Sequence, residues 1–156
     1  MRLALFQPDI PQNLGAAIRL AACLGVPLEV IEPCGFPLSD AAIRRAAMDY
    51  AAIADVRRHP GWADFRDDRG RTGRLVLFTT QAARPFQTFE FRPDDVLLFG
   101  RESAGVPEAV HEAADARLFI PLAPGARSLN VVTAAAMALS RALSVTDGFP
   151  SPARTG

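Results

Sequence analysis

Apolar residues along the chain follow two spacings, and the alternation between them predicts the fold. Short strand-type runs occupy residues 2–6, 28–31, 75–79, 96–99 and 117–120, with a weaker one at 55–58. Between them lie stretches of helical period at 14–24, at 39–47 with Ser39 or Asp40 as cap, around 62–65, and over a long final segment, 128–145. Strands alternating with helices predict an α/β fold, a parallel sheet with helices on both faces. The polar run 67–73 is a turn between elements. Residues 1–147 are expected to form one domain, and the tail 148–156, rich in Pro, Ser and Gly, is expected to be flexible.

Three polar islands interrupt the apolar pattern: Asp9 to Gly15 with Arg19, Phe99 to Pro107, and Ala126 to Asn130. Each follows a strand-type run and precedes a helical one, so the three are expected to converge at one edge of the sheet, where open α/β folds place their ligands. Gly100 and Gly105 in the second island, and Gly125 before the third, allow close backbone approach to a ligand. Asn13, Arg19, Arg127, Ser128 and Asn130 supply hydrogen-bond donors without an evident nucleophile and base, which suits positioning more than covalent catalysis. Each also has a plainer reading. Asn13 caps a helix beginning at Leu14, Arg19 is a solvated charge, Glu102 is a surface carboxylate, and Ser128 caps the last helix with Asn130 in its first turn.

Composition narrows the chemistry. With 156 residues, 49% of them hydrophobic, the chain is long enough for one substantial core. Every one of its seventeen cationic side chains is arginine, so a lysine Schiff base and a P-loop lysine are both excluded. The net charge is zero, yet between residues 41 and 84 nine arginines face five acids, a local excess suited to tracking phosphates. Arg44 and Arg45 are the leading candidates for RNA contact. No G-x-G-x-x-G follows the first strand, and no serine-hydrolase elbow is present. Cys23 and Cys34 read as two buried thiols, and His59 and His111 as surface or capping residues, so no metal site is expected. With no signal peptide and no membrane-length apolar run, the chain reads as soluble and cytoplasmic. The last helix, apolar around most of its circumference from Val131 to Leu143, is expected at a subunit interface as well as in the core.

The ordered set Pro8-Asp-Ile-Pro-Gln-Asn13-Leu-Gly15 with Arg19, Pro33 to Leu38 with Arg44-Arg45 and Asp49-Tyr50, Leu98 to Pro107, and Ile120-Pro-Leu with Arg127-Ser-Leu-Asn130 resembles the SPOUT methyltransferases. Within them it looks most like the small tRNA 2′-O-methyltransferases acting on a wobble cytidine or uridine. The resemblance runs from Leu3 to about Leu143. It implies a C-terminal trefoil knot, S-adenosylmethionine as methyl donor without a metal, tRNA as substrate, and a homodimer with the last helix at its interface. It further implies a cofactor pocket lined by Phe78, Thr79, Gly100, Glu102, Ile120, Ser128 and Leu129. Arg19 would act at the ribose, with Asn13 bracing its loop and Glu102, Ser128 and Asn130 completing the catalytic set. Because a guanidinium is a poor base, Arg19 suits stabilising a developing alkoxide better than removing a proton. Two other readings stay open: a non-catalytic RNA-binding or assembly protein of the same fold, and a ribosomal RNA methyltransferase. The latter is disfavoured because such relatives commonly carry an extra N-terminal domain, whereas this sequence starts at the first strand.

Overall fold

The computed structural model describes residues 1–152. Among them, β1 (Arg2–Phe6), β2 (Leu28–Ile31), β3 (Val56–His59), β4 (Leu75–Phe78), β5 (Arg84–Pro85), β6 (Val96–Phe99) and β7 (Ala116–Phe119) form one sheet in the order β3-β2-β1-β6-β4-β7-β5. All its pairings are parallel. The central strands β1, β2, β4 and β6 are apolar almost throughout because both their faces are covered.

Alternation along each strand sorts the side chains into two layers. Leu3, Leu5, Leu28, Val76 and Leu97 pack in one core with α1 (Pro11–Leu24) and α5 (Val131–Val145). Ala4, Phe6, Leu75, Leu77 and Leu98 pack in the other with Phe65 of α3 (Trp62–Arg69) and Val110 of α4 (Glu108–Ala113). The remaining helix, α2 (Asp40–Ala47), packs on α1, and a 3₁₀ turn (Met48–Tyr50) follows it. Ser39 is its cap, accepting from the Ala42 amide at 3.0 Å.

Several boundaries differ from the sequence reading. The first helix begins at Pro11, because proline tolerates the first helical position, where its missing N–H costs nothing. Asn13 is therefore inside the first turn and caps nothing. The last helix begins at Val131, not Ser128: the Asn130 side chain is its cap, accepting from the amides of Val132 (2.9 Å) and Thr133 (3.3 Å). Part of the supposed 67–73 turn is the end of α3. Strand β5 and helix α4, of two and six residues, are too short to show a period in the sequence.

The cysteine and histidine expectations are corrected too. Cys23 is exposed and Cys34 half-buried. His59 is buried, its Nε2 2.6 Å from Oε2 of the fully buried Glu29, whose other oxygen lies 3.3 Å from Arg2. A carboxylate removed from water needs such partners. His111 is buried as well. The tail residues 153–156 lie outside the described residues. Just before them, the Gly148 amide donates to Leu143 (2.9 Å) and the Thr146 hydroxyl to Ala142 (2.8 Å), folding the chain back onto α5.

Candidate active site

The strand order reverses around β1 and β6, which lie side by side although their paired residues are 94 apart in sequence. Beyond the C-terminal ends of β4, β6 and β7 opens a cavity of about 600 Å³. That is the size range of small-molecule sites. Its walls combine the apolar Phe78, Ile120 and Leu122 with Thr79 and the turn at Gly100 and Glu102. Ser128, Leu129 and Asn130 close the third side. All seven positions expected to line a cofactor pocket therefore face one cavity.

The turn after β6 explains its glycines. Arg101 and Gly105 exchange backbone hydrogen bonds (3.0 and 2.9 Å), folding the segment back on itself. A Cβ on Gly100 would stand 2.7 Å from the Gly105 carbonyl carbon, and Gly105 has a φ of 65°. Neither position accepts a side chain without rearrangement.

Three turns are tied together at this edge. Glu102 accepts from the Asn13 side-chain amide through Oε1 and from the Asp9 backbone N–H through Oε2, both at 3.0 Å. Asn13 Oδ1 in turn accepts from Asn130 Nδ2 at 3.0 Å. The first, second and third polar islands are thus linked by Asn13, Glu102 and Asn130. Both carboxylate oxygens of Glu102 are engaged, so it acts as a brace in this arrangement. The sequence reading missed Asp9. The Ser103 hydroxyl donates to the Asp9 carboxylate, and Arg101 stands 4.0 Å away.

Arg19 is placed elsewhere. Six residues beyond Asn13, it projects from a different side of α1, is exposed, and does not line the cavity. Its Nη2 donates to Met48 Sδ at 3.3 Å, and its guanidinium lies 5.6 Å from the centre of the Tyr50 ring. Arg44 and Arg45, in the last turn of α2 before that 3₁₀ segment, are exposed. Of the other arginines in the local excess, Arg57 pairs with Asp55, Arg58 with Glu32 and Asp40, and Arg74 with Asp95. Arg58 and Arg74 thereby join segments distant in sequence, whereas the Arg57 pair is local and exposed. Also unanticipated in the cavity wall are Ile10, Gln81, Leu122 and His111. Single residues contributed from loops and a short helix leave no periodic signal in sequence.

A parallel α/β sheet with a nucleoside-sized cavity at its switch point, and among the described residues no hydrogen-bonded nucleophile–base pair in the cavity wall, has the form of a site that works by positioning. Residues 1–140 match the SpoU rRNA methylase family, and the chain belongs to it. In particular, it is 60% identical over 142 residues to a tRNA (cytidine(34)-2′-O)-methyltransferase of Beijerinckia indica, covering 90% of this chain and 89% of that one. A solved structure giving insight into 2′-OH methylation of C/U34 on tRNA superposes with a TM-score of 0.85 at 40% identity, covering 92% of this chain and 94% of the other. An AdoMet-bound rRNA methyltransferase from Sinorhizobium meliloti superposes at 0.80 with 29% identity, over 92% of this chain and 55% of its own.

Proposed function

We propose that this protein methylates the ribose 2′-hydroxyl of the wobble nucleotide, a cytidine or uridine, of tRNA in the cytoplasm. The observation that carries the reading is the three-turn junction of Asn13, Glu102 and Asn130 beside the cavity, in a chain 60% identical to a protein named for that activity. The cavity fits S-adenosylmethionine. Its apolar walls suit an adenine, and the glycine turn at 100–105 lets the backbone approach a nucleoside. Phe78, Thr79, Gly100, Glu102, Ile120, Ser128 and Leu129 would hold the cofactor, which when bound supplies a methyl group already activated on a sulfonium. No metal is required by that chemistry.

The protein's remaining work is alignment and charge. Glu102, fixed by Asn13 and the Asp9 amide, holds the second turn against the first, and Asn130 holds the third. Arg19 stabilises the oxyanion that develops at the ribose 2′ position. Because its own chain directs Arg19 away from the cavity, it serves the pocket of a second subunit. The protein works as a homodimer joined through α1 and the outer face of α5, where Met137 and Val145 are exposed. Arg44 and Arg45 contact tRNA phosphates. The C-terminal segment from β6 to α5 adopts the trefoil knot of SPOUT proteins, within a single domain spanning residues 1–147.

The test is transfer of labelled methyl from S-adenosylmethionine to tRNA from a host lacking the activity, with nucleosides identified by mass spectrometry. A 2′-O-methylated cytidine or uridine at the wobble position, lost with Arg19→Ala and not restored by Arg19→Lys, is expected. Transfer to ribosomal RNA alone, or cofactor binding without transfer, would replace this reading.

A further inference from the structure

We infer that His111 contacts the bound S-adenosyl cofactor, an inference that rests on the methyltransferase reading of the cavity. The chain has two histidines, and both are buried, His59 at 5% exposure and His111 at 7%. Their circumstances differ. His59 is satisfied by the protein, its ring held by Glu29 at 2.6 Å beneath α3, against Phe65. His111 lines the cavity, where among the described residues no protein group hydrogen-bonds its ring and its nitrogens are not sealed from solvent.

Its place follows from the elements around it. Helix α4 starts directly after the 100–105 turn, and Val110 enters the core beneath the sheet. The next residue is rotated by about 100° around the helix, which directs His111 to the cavity side with Gly100 and Val106. An aliphatic side chain would extend this wall at no polar cost. Imidazole instead brings a donor and an acceptor to the cavity, and a ligand that fills it shuts water out from both. With no protein partner, the complementary group comes from the ligand. His111 is a cofactor-binding residue absent from the three polar islands.

The probe is S-adenosylhomocysteine, titrated calorimetrically into the full chain. Wild-type protein binds it, His111→Leu binds it roughly 10-fold or more weakly, and His111→Gln, which keeps a donor and an acceptor, recovers most of the loss. Unchanged affinity in His111→Leu overturns the inference while leaving the pocket assignment standing. Failure of wild-type protein to bind at all overturns the cofactor reading itself and this inference with it. If His111→Leu does not fold, ¹⁵N spectra of the imidazoles in wild-type protein decide. Saturation with S-adenosylhomocysteine shifts the ring signals of His111 and leaves those of His59 in place, whereas unmoved His111 signals overturn the inference.

Discussion

One side chain, Asn130, caps α5 through its carbonyl oxygen and reaches Asn13 through its amide nitrogen. The two roles separate by substitution. Asn130→Ala removes both and should cost about 1 kcal/mol from the lost cap, visible as a lower melting temperature. Asn130→Asp keeps the acceptor and loses the donor, so stability should stay near wild type while methyl transfer falls. Glu102→Gln places an amide where two N–H donors already converge. We expect about 1–3 kcal/mol of destabilisation and a loosened 100–105 turn, read by denaturant melts and by cofactor affinity. The Cys34 thiol, half-buried and beside Glu32, is pushed up to about 11, burial being the larger cause. Only the thiolate alkylates. Labelling of the Cys34 peptide by iodoacetamide should therefore be slow at pH 8 and climb steeply towards pH 11, as followed by mass spectrometry.

At the scale of elements, the turn after β6 is the least tolerant. Gly100→Ala drives a methyl into the Gly105 backbone, and we expect cofactor affinity to drop while far-ultraviolet circular dichroism is retained. The same turn shows what sequence makes legible. Its glycines and Glu102 stand out because they end the apolar run Val96–Phe99, and β1, β2, β4 and β6 are legible as nearly continuous apolar runs because both their faces are buried. Helix starts were harder to read. At α1 the cap position is Ile10, which makes no side-chain capping bond, and at α5 the capping side chain is Asn130, two residues beyond Ser128. The edge strand β5, with exposed Arg84, and the short α4 carry too few apolar positions to register. His111 was misread for the same reason. It is buried in the cavity wall, and a lone histidine between Val110 and Glu112 carries no local mark of that.

For the whole molecule, the position of Arg19 makes a prediction that no single chain can satisfy. In the proposed homodimer, Arg19→Ala and a cavity-filling Thr79→Trp variant are each expected to be inactive, whereas after mixing and subunit exchange a hybrid is expected to hold one intact composite site. Recovery of about a quarter of wild-type activity is expected for random pairing, and its absence in exchanged dimers would place Arg19 in its own chain's reaction. Binding of tRNA should weaken as salt rises, and Arg44→Ala and Arg45→Ala should each lower the slope by about 1 if each meets one phosphate.

The placement of β6 also bears on how the protein is made. Strands β1, β2 and β3 can associate as soon as the first 60 or so residues have emerged, since domains assemble from the N-terminal side at roughly 5–20 residues per second. The inner edge of β1 then waits, unpaired, for Val96–Phe99. The catalytic edge is completed later still, when Asn130 arrives to join Asn13 across 117 residues of chain. Such long-range closure makes folding slow. A nascent chain released before residue 96 therefore keeps an open apolar strand edge, a template for aggregation, whereas one released after residue 99 and before residue 130 has that edge paired and still lacks the side chain that ties its third turn to the first.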